Sequence, residues 1–566
     1  DRQKRFRREN AAGTTQEGKI MKRKAVAAVL TAVMVASMFT GCGSDNGSSS
    51  AKSASAASAA SAANDTVDED GKVNGIMYQE GLPLVDEGDY TFSIFCDDSS
   101  ESGEFIMLNE FKKQTNVDVD LKIYPYETAT ERLNLDLNSG DYADVIGGWT
   151  LSDNAILTYG VNQGVFIPLE DYFEKYCPNI SAILDLPGVR EKMTAPDGHI
   201  YTIPYVCADS TVGYSPYINT KWLENVGMSM PTTTDEFEAV LKAFKEQDAN
   251  GNGDASDEIP FSTDPNNKHI EAMAGYFGLP MNKLGIAIQN EKVVYGGVSD
   301  TYREFLSWFH KLYAEGLVDV ELYTQDSSTW EGKGNQDLYG VSIAYGSGEF
   351  TGIPAAEERG DFDSMPVLNT DKDGIWLRDT EGFSVYRTQA VITNKAEHPE
   401  IICRWFDNAF ALENGIGCNR GPVGVIVNKE DDGYHAIDTT TLSEEDQEKY
   451  SWGNLWPQSL PKYLPADFEF VEEHPMYDEK KATEEAYEAN LTKEIIPSYW
   501  IDLDKIDTFS DTNTAIKDFF EQQQAQFVCG ELDIDNDADW QAYVDGMYSL
   551  GLEDWVATQG IEEIAK

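Results

Sequence analysis

Between Tyr90 and Ile146 the hydrophobic period switches repeatedly between two and about 3.6, and few folds accommodate that pattern. Tyr90–Phe95 (Y-T-F-S-I-F) alternates as a strand does. From Ser102 to Gln114, Phe105, Leu108 and Phe111 follow at helical spacing. Val117–Ile123 returns to a strict period of two, and Glu127–Asn138 places Leu133 and Leu137 four apart. Ala143–Ile146 is a short apolar run. Strands separated by helices pair in parallel and are covered on both faces, so the expected class is α/β. Farther on, Thr233 and Glu236 have capping-box spacing, and Phe237, Val240, Leu241 and Phe244 share one helix face. Ile516, Phe519 and Phe520 mark another helix, and Trp540, Tyr543, Val544 and Met547 a further one. A chain of 566 residues, 41% of them hydrophobic, has material for more than one core, so at least two domains are expected.

The N-terminal region carries an address. From Met21 a basic M-K-R-K precedes an apolar run of 15 residues and then T-G-C. This is the layout of a secretory signal, and the run is shorter than the roughly 20 residues that span a bilayer. Residues 21–41 are read as the signal peptide, and F-T-G-C as a lipobox whose Cys42 becomes the lipidated first residue. Residues 1–20 are read as translated upstream sequence, and residues 42–84 as a Ser/Ala-rich tether without the large apolar residues needed to fold. The expected location is the outer face of the cytoplasmic membrane, with the lipid as the only membrane contact.

Charge excludes other partners. Residues 1–41 hold nine Lys/Arg and three Asp/Glu, which leaves 34 bases against 96 acids in the remainder. Such a field repels phosphate backbones, so no nucleic acid is expected. The other six cysteines form no C-x-x-C pair and read as small buried hydrophobes. The six histidines include no H-E-x-x-H, and neither G-x-S-x-G nor a P-loop is present. No enzyme activity is expected. The alternatives are a secreted polysaccharide hydrolase using paired carboxylates, a polymer-binding scaffold, or a binder of peptide or another solute.

Several segments together resemble one family. L-N-S-G-D-Y-A-D-V-I (137–146), G-V-F-I-P-L-E-D-Y (164–172), D-G-H-I-Y-T-I-P-Y (197–205) and N-T-K-W-L-E-N-V-G (219–227) are similar to extracellular solute-binding proteins of ABC transporters. The P-T-T-T-D-E-F segment, the Asn/Gly loop after it and the F-V-C-G-E-L-D-I-D-N-D-A-D-W-Q-A-Y-V ending resemble the branch of oligosaccharide- and alginate-binding lipoproteins. The resemblance implies two hinge-linked α/β lobes around a ligand cleft, no catalysis, a sugar as solute, permease subunits as partners and a monomer. The expected lobes are 85–206 with about 385–455, and 207–384 with about 456–566.

Two sets of site residues follow. In α/β sheets ligands gather beyond strand C-termini, and sugars stack on aromatic faces, which selects Asp97, Asp98, Trp149, Tyr205, Tyr345 and Trp376. Trp222, Trp405 and Trp540 lie in helical patterns and are expected in the core. The second set is a loop, D-A-N-G-N-G-D-A-S-D-E-I-P (248–260), with oxygen side chains at positions 1, 3 and 5 and Gly at 6, as in an EF-hand loop. Asp248, Asn250, Asn252, Asp254 (through its carbonyl), Asp257 and Glu258 are the expected ligands of a structural calcium ion. Position 12 is Ile259, not Glu, so the closing ligand stays open between Asp257 and Glu258. A second alternation, Asp533, Asp535, Asp537 and Asp539, has no Gly after its third member and is read as capping the helix that follows.

Overall fold

The computed structural model describes residues 65–98, 104–264, 269–352, 360–437, 439–465, 468, 470–471 and 475–565. Residues 1–64, including the signal segment and Cys42, lie outside them. The expected tether ends sooner than residue 84. Lys72–Val73 pairs antiparallel with Met77–Tyr78, Val73 and Met77 are fully buried, and Tyr176 Oη donates to Asp65 Oδ2 at 2.8 Å. Val73, Met77, Leu84 and Val85 belong to the first core. Those four apolar residues among polar ones have enough partners elsewhere in the chain to order the segment.

Two sheets organise the body. The strands, in chain order, are β1 (Tyr90–Asp97), β2 (Val117–Tyr124), β3 (Val145–Gly147), β4 (Thr202–Ala208), β5 (Ser215–Asn219), β6 (Ile259–Thr263), β7 (Tyr339–Ala344), β8 (Phe362–Ser364) and β9 (Phe383–Ile392). The first sheet has the order β2-β1-β3-β9-β4, and the second β8-β5-β7-β6. The expected parallel pairing holds for β1 with β2 and for β1 with β3. Helix α1 (Ile106–Thr115) makes the crossover from β1 to β2, and α2 (Tyr126–Ser139) leads on towards β3. The sheet is nevertheless mixed, because β9 enters from the other sheet and runs antiparallel to β3 and β4.

Each sheet has its own core. Phe92, Ile94, Phe111, Trp405 and Trp456 pack on the first, and Trp222, Phe237, Phe244, Phe309 and Tyr543 on the second. The amphipathic helix α3 (Thr234–Glu246) buries Phe237, Val240, Leu241 and Phe244, and Thr233 Oγ1 accepts the Glu236 N–H as its cap. Trp222, Trp405 and Trp540 are buried, as their helical patterns imply. The chain passes between sheets from β4 to β5, from β8 to β9, and again between Leu464 and helix α4 (Pro475–Tyr487). Trp456 and Leu460 pack with the first sheet, so this third passage lies beyond the expected position near 455. Two helices then close the second half, α5 (Ile506–Cys529) and α6 (Asp537–Ser549).

Candidate functional site

The C-terminal end of β1 builds the first wall of the site. Asp97 is fully buried there, and its carboxylate accepts the N–H groups of Trp149 (2.9 Å) and Thr150 (2.6 Å), just past β3. Gly148 between them has φ 137°, and a Cβ there would fall 2.3 Å from Asp97 Oδ1. A side chain at 148 would displace the carboxylate, so glycine is required. Burial pushes the Asp97 carboxyl up, while its bonds to Thr150 and Trp149 pull it down. Asp98 is buried and accepts the Gln458 N–H at 2.8 Å. Both acids therefore position loops, and the group presented outward is Trp149, 44% exposed.

Aromatic rings continue that wall. The Trp149 indole meets Tyr386 edge-on at 5.3 Å and Tyr205 at 6.5 Å, and Tyr205 stacks on Tyr386 at 5.5 Å. Asp209, one residue after β4, joins the two halves. Its Oδ2 accepts from Tyr386 Oη (3.0 Å) on β9, and its Oδ1 from Tyr345 Oη (3.1 Å) just past β7. A phenol from each sheet thus meets one carboxylate at the first passage between them.

Two buried lysines back this junction. Lys480 on α4 donates to the carbonyls of Gly213 (2.5 Å) and Tyr345 (2.7 Å) and lies 4.0 Å over the Tyr345 ring. Burial pushes its ammonium down to about 8. Asp379, which accepts the Gly213 N–H at 2.6 Å, is pushed up to about 6 by burial. Lys462 donates to Gln458 Oε1 at 2.6 Å and is likewise pushed down to about 8 by burial. On the second half, Tyr214 stacks on His269 at 4.0 Å and meets Tyr345 edge-on at 6.1 Å. Burial pushes the His269 imidazole down to about 4, so it is neutral near pH 7. The set offers flat apolar faces and hydroxyl and carboxylate groups at one junction, which suits a ring with an apolar face and hydroxyl edges.

Of the six expected residues, Asp97, Trp149, Tyr205 and Tyr345 lie around this junction, and Asp98 anchors the loop beside it. Trp376 does not. It is 1% exposed, packed between Tyr276 (5.8 Å) and Tyr487 (5.5 Å) in the second core, with its N–H bonded to Asn490 O. The Gly/Asp-rich stretch around it runs as an extended segment against Leu491, which closes the ring in. Asp209, Tyr214, Tyr386, Lys462 and Lys480 were not anticipated. The only sequence sign of Asp209 was its place one residue beyond an apolar strand.

The loop after α3 is wound as the oxygen pattern implies. Asn252 N donates to Asn250 Oδ1 (3.0 Å), Asp254 N to Asn252 Oδ1 (2.8 Å) and Gly253 N to Asp248 Oδ2 (3.0 Å). Asp257 accepts from Asn250 Nδ2 (3.2 Å) and Asn252 Nδ2 (2.8 Å), and Glu258 Oε1 accepts the Ala249 N–H at 2.9 Å. The Asp254 carboxylate turns to Ser256 instead, 2.6 Å from its Oγ. Asp248 Oδ1 and Glu258 Oε2 are buried, and neither has a hydrogen-bond partner among the described residues. A buried carboxylate oxygen without a donor is costly, and two in one acidic loop fit a hard cation. A separate grouping of Glu430, Asp432 and His435, with ligand atoms within 4.8 Å of one another, lies on the hairpin Val427–Ala436.

Known proteins share this arrangement. The family described as bacterial extracellular solute-binding protein matches residues 98–415. The fructooligosaccharide ABC transporter substrate-binding protein FusA of Streptococcus pneumoniae serotype 4 is 31% identical over 411 residues, 70% of this chain and 70% of that one. The structure of S. pneumoniae FusA in complex with kestose has a TM-score of 0.72 at 26% identity, covering 83% of this chain and 98% of that chain. A FusA EF-hand mutant in complex with fructo-nystose has a TM-score of 0.71 at 27% identity, with the same coverage.

Proposed function

Because this chain belongs to the bacterial extracellular solute-binding proteins, we propose that it captures an oligosaccharide between its two lobes and delivers it to an ABC importer permease. The observation that carries this reading is the junction at Asp209, where phenols from both sheets meet one carboxylate beside the exposed Trp149. A solute held there touches both halves, and only a ligand that binds the closed arrangement better shifts the population towards it. Trp149, Tyr205 and Tyr386 supply the stacking faces, and Asp209 accepts sugar hydroxyls. Asp97 and Asp98 hold the loops that carry these groups. The likeness to FusA, a fructooligosaccharide-binding protein, supports sugar as the solute class.

The same reading places the protein outside the cell as a monomer anchored by lipid at Cys42, with no catalytic step. It also includes one structural calcium ion in the second lobe. Asp248, Asn250, Asn252, the carbonyl of Asp254, Asp257 and Glu258 would hold it, and Glu258 Oε2 supplies the closing oxygen that Ile259 cannot. Bound there, the ion neutralises carboxylates that the loop otherwise buries without partners. The loop precedes β6 at the end of that strand away from Tyr345, so its task is to hold the lobe, not to touch solute.

The deciding experiment is a thermal-shift and calorimetric screen against oligosaccharides of two to four rings, kestose among them, with peptides as controls. Raised melting temperature with the sugar recovered intact is expected. Cleaved product would establish the hydrolase instead, and a response to peptides alone would displace the sugar reading.

A further inference from the structure

Trp452 is 54% exposed, the most exposed tryptophan among the described residues, yet its backbone is pinned. Its carbonyl accepts from Gln458 Nε2 at 3.0 Å, and the next turn is closed by Asn454 N donating to Ser451 O at 2.9 Å. Leu455 O accepts the Met107 N–H at the start of α1 (3.0 Å), Gln458 N is held by Asp98, and Ser459 Oγ donates to Asp97 O. The loop from Trp452 to Lys462 is thus fastened to the end of β1, beside the residues that position Trp149. Leaving a large indole in water on a fastened loop forfeits burial that a turn residue would not need, so exposure here calls for an occupant.

The position of the ring says what the occupant is. Lys462 Nζ lies 5.6 Å from the Trp452 ring and 5.4 Å from the Tyr205 ring, so one buried ammonium bridges the new indole and the stacked pair at the junction. That cation sets the orientation of the indole from below and leaves its other face to solvent. Trp149 and Trp452 then stand on either side of Tyr205, two exposed indoles on one aromatic wall.

We infer that Trp452 is a second sugar-stacking face, so that the solute is an oligomer with one ring on Trp149 and another on Trp452. This rests on the oligosaccharide reading and sharpens it: chain length is selected by whether a solute reaches both indoles, and Lys462 is the residue that positions the second one.

The test compares fructan, xylan and β-mannan oligosaccharides of two, three and four rings by isothermal titration against wild type, Trp452→Ala and Trp452→Phe. For whichever series binds, Trp452→Ala is expected to weaken the longer members roughly five- to tenfold and to leave the two-ring member nearly unchanged. Trp452→Phe, which keeps a flat face, recovers most of the loss. Equal melting temperatures without sugar show that the fold is intact. Wild-type binding with no loss in Trp452→Ala, or an equal loss at every length, overturns this inference and leaves the functional reading standing. A wild type that binds none of the three series overturns both.

Discussion

Two acidic alternations in this chain look alike and do opposite things. Asp248, Asn250, Asn252 and Asp254 turn their backbone N–H groups onto one another's side chains, yet Asp248 Oδ1 and Glu258 Oε2 stay buried without donors. In the second, Asp533 accepts the Asp535 N–H at 3.1 Å, Asp539 accepts the Asp533 N–H at 3.1 Å, and Asn536 caps α6 by accepting from Ala538 N. Asp537 pairs with Arg303 at 2.9 Å and Asp535 accepts from Ser307 Oγ at 3.0 Å, so that run is satisfied by protein donors. What separates them is not the acid count. Gly251 and Gly253, with φ of 73° and 94°, let the first loop curl inwards, whereas the second run continues into a helix whose N-terminus favours acids.

Four measurements break or sharpen that contrast. The largest effect is expected from Asp248→Ala. Wild type should gain about 2.7 kcal/mol at calcium one hundredfold above its dissociation constant, and the variant none. Melting curves with calcium and with chelator, alongside calorimetry, read this directly, and an equal shift in both proteins would place the ion elsewhere. Next comes Glu258→Gln in calcium-free protein. Burial raises the folded Glu258 carboxyl above its ordinary value of 4.5, so its charged form disfavours the fold. Stability should be fullest below that ordinary value and fall as pH rises through the folded one. Denaturant titrations from about pH 4 to about pH 7 should show this slope in wild type and lose it in the variant.

Asn536→Ala tests the other run. Loss of the cap should cost about 1 kcal/mol, equal with and without calcium, and a calcium-dependent loss would erase the distinction between the runs. Smallest is Asp535→Ala, expected within about 0.5 kcal/mol in either condition, because its contact with Ser307 is exposed.

The elements that read best from sequence were those whose partners are close in the chain. β1, β2, α1, α2 and the capped α3 each declare themselves by period alone. Trp149 was legible because it follows a strand directly. Trp376 was not, since the rings that bury it, Tyr276 and Tyr487, come from far along the chain on either side. The same distance hid Asp209, whose role depends on Tyr345 and Tyr386, and Trp452, which looks like an ordinary turn residue until Lys462 and Tyr205 fold beneath it. The early segment around Val73 and Met77 was missed because two buried side chains are too few to make a period.

The placement of β9 between β3 and β4 has a consequence for biosynthesis. The first sheet cannot be completed until residues up to Ile392 have emerged, and by then every strand of the second sheet has already been made. The N-terminal half therefore waits with β3 and β4 unpaired while its neighbour assembles, a long-range closure that slows folding and exposes strand edges. A chain threaded N-terminus first through a membrane pore meets this delay on the far side, where chaperones that act on nascent strands face greater demand than the lobe count alone suggests.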